Sequence, residues 1–294
     1  NDSAPRTKPT ALEVGYWGTC SRPGDMDNYR FAGKRGQTIV CRVEAKSLGS
    51  MLNGFLTVLD PSGQTVATNN DFDEQDDPLV AYTIPADGVY TVRVNDQSMA
   101  GGATHFYRLS LGTFPLVTGV FPMNVAVGKP ADVELTGFNL PTMHTAKVEP
   151  KAAGVTDVPY DMNLLRVVKK PTVMATAENE VAEMEPNDAA AKAQAVSVPV
   201  HVNGRIYATA ADATGDADYI RFEARKGQAF LIETEARRRG SPVDTKIEVL
   251  TTDGKPVPRV ILQAVRDSYV TFRSIDSGSL ECRLFNWEEM ELNE

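Results

Sequence analysis

Cysteine and histidine are scarce here, three of each in 294 residues. No two cysteines form a CxxC pair, and His105, His144 and His201 lie in separate segments. The clustered thiolate or imidazole ligands of a zinc or redox site are therefore missing. Positive charge is also thin. Arg237-Arg238-Arg239 is the one basic run, the net charge is −9 and the pI is about 5.0. Phosphate binding needs a concentrated basic surface, so the sequence predicts no nucleic-acid partner. No apolar run approaches the ~18–20 residues of a membrane-crossing helix, so no membrane span is expected. No secretory leader opens the sequence, and Asn1-Asp2-Ser3-Ala4-Pro5 reads as part of a longer, trimmed chain. GxSxG, HExxH, Walker and Rossmann patterns are absent, and the acids cluster at turns. We expect no catalytic residue and no enzymatic activity.

Helix signals are nearly as rare. Residues 187–196 supply a helical turn or two, with Asn187 or Asp188 as N-cap. Elsewhere short apolar or alternating runs lie between Gly, Pro, Asn and Asp turns, an all-β pattern. In the first segment, strands are predicted near 12–18, 27–32, 37–45, 55–60, 64–68, 78–84, 88–95 and 104–112. Asp60-Pro61-Ser62-Gly63 and Ala86-Asp87-Gly88 form turns between them. That number of strands in so short a stretch suits a two-sheet sandwich around one core.

The most informative feature is a repeat. Gly24 to Val66 aligns with Gly215 to Val257 without a gap, and 15 of the 43 positions are identical. Asn1 to Gly18 likewise aligns with Asn187 to Gly204. Gly24-Asp25-Met26-Asp27 and Gly215-Asp216-Ala217-Asp218 each place two carboxylates two residues apart before an apolar strand. Two copies of one module are therefore expected, 1–112 and 187–294, the second incomplete and continuing past Glu294. Between them lies a segment of another style. Pro115-Leu116-Val117-Thr118-Gly119-Val120-Phe121-Pro122, then Gly128 and Gly137-Phe138-Asn139, resembles the opening of an IPT/TIG-type immunoglobulin-like domain. This segment is assigned to 113–175, as a reduced domain of five to seven strands. The acidic stretch 176–186 reads as a linker.

Glu185-Pro186-Asn187-Asp188, Gly204, Gly215-Asp216-x-Asp218-x-x-Arg221-Phe222 and Gly227-Gln228 resemble the bacterial pre-peptidase C-terminal (PPC) domain. Copy one carries Gly24-Asp25-x-Asp27, Asn70-Asp71, Pro85-Ala86-Asp87-Gly88-x-Tyr90 and Tyr107-Arg108-Leu109. The resemblance implies jelly-roll-like β-sandwiches in tandem, of secreted or cell-envelope location, non-catalytic, and found beside peptidases or in large surface proteins. In collagenases the similar module binds calcium and collagen.

The expected calcium site lies in copy two. Glu183, Glu185 and Asn187 alternate, so an extended segment points all three one way; Asp188 follows, and Asp216 and Asp218 form the second pair. Calcium takes six to eight oxygen ligands, which this set can supply. The family's ligands are similar, although its later aspartates are spaced differently, which leaves Asp218 less secure than Asp216. The competing reading is that these acids form turns and solubilise the surface. In copy one Asn1, Asp2, Asp25 and Asp27 would be the remnant of the same site. Cys20 and Cys41 align with Ile206 and Ile232. They are either a disulfide, closing a ~20-residue loop worth about 3 kcal/mol, or two reduced core cysteines. Phe31 and Phe222 are expected in cores, with Arg30 and Arg221 outside. Trp17, Tyr29 and Tyr107 are candidates for an exposed strip that stacks on a polymer.

Three functional readings follow. The first is a calcium-stabilised structural or adhesive array that contacts extracellular polymer or neighbouring modules. The second is the accessory region of a secreted hydrolase. The third is a surface-layer or filament subunit.

Overall fold

The computed structural model describes residue 10 and residues 12–72, 77–206, 216–236, 239, 241, 243 and 245–257. It is nearly all β. The eight strands expected in the first segment are β1 Val14–Thr19, β2 Met26–Gly33, β3 Thr38–Glu44, β4 Gly54–Leu59, β5 Thr65–Asn69, β6 Leu79–Thr83, β7 Gly88–Asp96 and β8 Phe106–Gly112. They form two antiparallel sheets, ordered β1-β8-β3-β6 and β2-β7-β4-β5. β1 pairs with β8, β2 with β7, β3 with β6 and β4 with β5. This is one long hairpin rolled on itself, the jelly-roll order. Its tip is the β4–β5 turn. There Asp60 Oδ1 accepts the Ser62 and Gln64 N–H groups at 2.8 and 2.9 Å, and Gly63 takes a φ of 85° that a side chain disfavours.

Alternation along the strands builds the core. Phe31, Ile39, Cys41, Val43, Leu56, Val58, Tyr90, Val92, Tyr107, Leu109 and Leu111 face inward and are buried together. Each large apolar side chain there contributes about 1.5–3 kcal/mol by leaving water.

The register decides between the two readings of the cysteines. Cys20 and Cys41 are both free and buried. Cys41 sits opposite Leu111 of β8, whereas the Cys20 N–H bonds the His105 carbonyl of the same chain stretch. The two are thus staggered along β8 by a rise of roughly 20 Å at ~3.4 Å per residue. A disulfide requires Cα atoms within about 7 Å. The bridge is therefore corrected to two reduced core cysteines.

The polymer-binding strip is corrected too. Trp17 is 69% exposed, but Tyr107 is fully buried and Tyr29 packs half-buried against the core. Their inward placement follows from strand alternation, which sends Trp17 outward and both tyrosines to the other face.

The middle segment holds seven strands: β9 Leu116–Phe121, β10 Asn124–Ala126, β11 Ala131–Phe138, β12 Thr145–Val148, β13 Gly154–Asp157, β14 Arg166–Val167 and β15 Thr172–Thr176. They form sheets β10-β15-β13 and β12-β11-β9-β14 around a separate core that includes Val117, Val125, Val133, Leu135 and Val173. This sandwich docks on the outer face of β3 and β6. Val40 and Leu79 meet Phe114 and Leu116 there, Arg42 donates to the Val167 carbonyl at 3.1 Å, and Asn139 donates to the Thr38 carbonyl at 2.9 Å.

The acidic stretch after it is not loose. β16 Glu180–Ala182 pairs in parallel with β18 His201–Asn203, and β17 Gln194–Ala195 with β19 Ile220–Arg221. The helical turn expected at 187–196 is a single 3₁₀ turn, Ala190–Lys192. Alanine favours helix, but the flanking backbone is drawn into β17. Beyond β19 the described residues add an isolated Leu250–Pro256 bridge and a Phe222–Phe230 ring contact at 4.9 Å. Phe222 and Phe230 align with Phe31 and Ile39, which share the first core. Where copy one has β3 to β5, the aligned residues 229–235 and 245–257 form no strand beyond the Leu250–Pro256 bridge and are mostly exposed, so the described residues do not show the second sandwich that was expected. The rest of the second module, including Cys282, lies outside the described residues.

Candidate metal centre

The linker reaches the second repeat through backbone pairing. After β16 the strand register continues with the Glu183 N–H donating to the Asn203 carbonyl at 2.9 Å. Gln194, 8% exposed, then acts as a surrogate strand: its Nε2 donates to the Ala182 carbonyl and its Oε1 accepts the Met184 N–H, both at 2.9 Å. The chain bends at Glu185, where the bond to Pro186 is cis, and the oxygens of Glu183 and Glu185 still come together. On the far side, the Tyr219 N–H donates to the Asn187 carbonyl at 3.2 Å and the Gln194 N–H to the Tyr219 carbonyl at 2.9 Å. These bonds deliver Asp216 and Asp218 to the linker.

Two overlapping groups of carboxylates result. Oxygens of Glu183, Glu185 and Asp218 lie within 4.8 Å of one another, and so do those of Glu185, Asp188 and Asp216. Asn187 is fully buried, its amide lying close to the Asp218 carboxylate but outside hydrogen-bond geometry. Asp218 Oδ1 is buried and unpartnered as well. A buried polar group left unsatisfied costs about 1–3 kcal/mol. These five carboxylates and Asn187 are the six residues named for copy two on spacing and family resemblance.

The charges work against one another. Burial first, then Asp218 and Glu185, pushes the Glu183 carboxyl up to about 7, against the lowering effect of the Arg205 N–H. Burial, then Asp216 and Glu185, pushes the Asp218 carboxyl up. A cation would reverse both effects, since an opposite charge favours the ionised form. The donors are all oxygens, from carboxylates and one amide, which fits a hard cation and not zinc or copper.

Gly204 makes the approach feasible. A Cβ there would stand 2.2 Å from Glu183 Oε2 and 3.6 Å from Asp218 Oδ2. Gly18 aligns with it in copy one, where a Cβ would stand 2.4 Å from the Tyr107 hydroxyl oxygen. That hydroxyl donates to Asp27 at 2.5 Å, and Asp25 accepts the Ser21 N–H and hydroxyl at 2.6 and 2.9 Å. In copy one both aspartates are therefore engaged by protein donors, and a tyrosine ring fills the space beside the glycine. Asn1 and Asp2 lie outside the described residues. Sequence reading missed Gln194 and Arg205, whose roles leave no periodic signal.

Among known proteins, the chain is 34% identical over 100 residues to a probable subtilase-type serine protease of Deinococcus radiodurans. The match takes in 32% of this chain and spans 13% of that relative. Two solved structures show low overall likeness. The pre-peptidase C-terminal domain of a collagenase from Bacillus anthracis is 15% identical, with 36% of this chain and 99% of that one covered at a TM-score of 0.28. A periplasmic inhibitor of g-type lysozyme from Aeromonas hydrophila is 20% identical, with 33% and 84% covered at 0.26. The family model of the bacterial pre-peptidase C-terminal domain matches residues 25–96, from the loop entering β2 to the end of β7. The first sandwich thus carries the sequence pattern of the bacterial pre-peptidase C-terminal domain.

Proposed function

We propose that this chain is a non-catalytic accessory region of a secreted bacterial protein, with calcium holding the linker against the second repeat. The observation that carries the calcium reading is the gathering of five carboxylates around the buried, unsatisfied amide of Asn187. The residues fit the ion: Glu183, Glu185, Asn187, Asp188, Asp216 and Asp218 would hold it, and it would supply the positive charge the cluster lacks. The similarity to a subtilase-type protease supports placing the region beside a secreted peptidase. An adhesive role on an extracellular polymer would need a surface other than the expected tyrosine strip.

Calorimetric titration and thermal melts of the 294-residue chain test this reading. Calcium should bind and raise Tm, chelator should reverse the rise, and magnesium should act more weakly because it demands a smaller octahedral shell. A melt indifferent to calcium and chelator overturns the metal reading. Hydrolysis of casein by the purified chain overturns the accessory reading.

A further inference from the structure

β1 lies at the end of the order β1-β8-β3-β6, and nothing on it discourages a further strand from joining. Its six residues, Val14-Gly15-Tyr16-Trp17-Gly18-Thr19, carry no charge and no proline, and they pair with β8 without a bulge. Free edges are ordinarily blunted by charge, proline, a bulge, shortness or a cover. The other described edges follow that rule. β2 carries Asp27 and Arg30 and is covered at Phe31 by Thr10, whose N–H donates to the Arg30 carbonyl at 2.6 Å. β5 lies beside a register shift at Val58/Leu59, and β6 gives its Leu79 N–H to Asn69 Oδ1 at 2.9 Å. β12 and β13 have four residues each and carry Lys147 and Asp157, and β10, β14 and β16 to β19 have three or fewer. The direction of the open groups on β1 follows from its pairing. The Cys20 N–H donates to the His105 carbonyl across the β1–β8 pair. Backbone direction alternates along a strand, so Gly18, Tyr16 and Val14 also face β8, and the N–H and C=O groups of Gly15, Trp17 and Thr19 face out.

We propose that β1 pairs antiparallel with β1 of a second copy of this chain, centred on Trp17, to form a symmetric dimer. A two-fold axis at Trp17 sets that residue against its own counterpart, Gly15 against Thr19 of the second copy and Tyr16 against Gly18. This register joins the residues whose backbone groups face out, in about six hydrogen bonds. A slip of one residue would set outward groups against inward ones, and a slip of two would part the tryptophans. The side chains agree in size. Tyr16 and Thr19 each meet a glycine, and the Trp17 ring, 69% exposed in the single chain, gains an aromatic cross-strand neighbour. The charges agree as well. Trp17 stands opposite Arg108 of β8, and Arg108 ion-pairs with Glu44 of β3 at 2.6 Å. The row across the dimer is Glu44-Arg108-Trp17 followed by its two-fold image, with each guanidinium beside an indole face that attracts it. The net charge of −9 opposes self-association, but the charges nearest the joint are these neutralised pairs. The middle sandwich covers the far half of the same outer face, at β3 and β6, and so leaves β1 open in both copies.

Sedimentation and light scattering of the 294-residue chain over a concentration series test the pairing, with Gly15→Pro and Trp17→Lys as edge variants. The Gly15 N–H faces away from β8, and a Cβ there meets only Arg108, at 3.4 Å or more, so proline should leave the sandwich folded and block the edge. Lysine at position 17 is exposed in the single chain and meets its own charge across the axis. The native chain should dimerise, and each variant should keep the native circular dichroism while its dimer Kd rises about tenfold or more. Trp17→Cys should give, under mild oxidant, a peptide crosslinked through position 17 of both copies, because opposed Cα atoms ~5.5 Å apart suit a disulfide. A dimer that both edge variants leave intact, or one in which Trp17→Cys yields no such peptide, overturns the proposal. So does a chain that stays monomeric up to about 100 μM, even where its free edge captures an unrelated extended peptide.

Discussion

Gly204 and Glu183 leave no room for a side chain between them, since a Cβ on Gly204 would stand 2.2 Å from Glu183 Oε2. The clashing atom is the far end of a flexible side chain, so Gly204→Ala should cost little folding stability. It should instead displace Glu183 from the cluster. The expected result is an unchanged Tm in chelator and a calcium affinity lowered about tenfold or more, read by calorimetry; one lost ligand at ~1.4 kcal/mol is a factor of ten.

Asp218→Asn should act with opposite signs in the two states. In chelator it removes a charge that burial and its neighbours disfavour. Tm should therefore rise. In calcium it removes a ligand, so the stabilisation, about 2.7 kcal/mol at a hundredfold excess over Kd for the native chain, should largely vanish. The two melting curves should cross in order between variant and native protein. In chelator the native chain should also gain stability on acidification. Glu183 has a free value of 4.5 and a folded value near 7, so the folded state binds more protons across that window and stability falls as pH rises through it.

Cys20 and Cys41 should resist alkylation in the native chain and react fully when it is unfolded, as peptide mass spectrometry would show. Burial pushes the Cys20 thiol up to about 12, with Asp27, Asp25 and Asp96 adding to the effect. Burial alone raises the Cys41 thiol. Reductant should leave the melt of the first sandwich unchanged.

Tyr107→Phe should destabilise the first sandwich by about 1–3 kcal/mol in urea unfolding, because buried Asp27 loses a charge-assisted donor. The same change removes the hydroxyl that Tyr29 meets at 2.7 Å. Calcium affinity should stay at the native value, since this network lies in copy one.

His144 should titrate above its free value of 6.5, raised by the Pro141 carbonyl first and by Glu134 second. Its share of stability is full below 6.5 and is lost as pH rises through the raised pKa. Glu134, lowered first by Arg205, contributes above its free value of 4.5 and loses that share as pH falls through the lowered pKa. Proton NMR of Glu134→Gln should move His144 part of the way back, because the Pro141 bond remains.

The strands of the first sandwich were legible because short apolar runs lie between turn residues, as the run from Val89 to Val94 does after Ala86-Asp87-Gly88, although β7 is buried on both faces where alternation predicted one. The grouping of the acids was legible for a related reason. Glu183, Glu185 and Asn187 share a face of any extended segment, and the repeat pointed to Asp216 and Asp218 as partners from a second stretch. The cysteines were not legible. Their alignment with two isoleucines marks both as core positions but says nothing of the stagger that separates them along β8.

From its residues alone this chain specifies short strands, a repeated module and acids grouped at strand entries, since spacing and turn chemistry act over a few residues. Which of those acids remain available was decided by tertiary structure. Tyr107 packs beside Gly18 and takes up Asp27, whereas Glu183 packs beside Gly204 near Asp218. The joint through Arg205 to Phe121 and Glu134 arises the same way, from segments far apart in sequence that meet because both sheets must bury their inner faces.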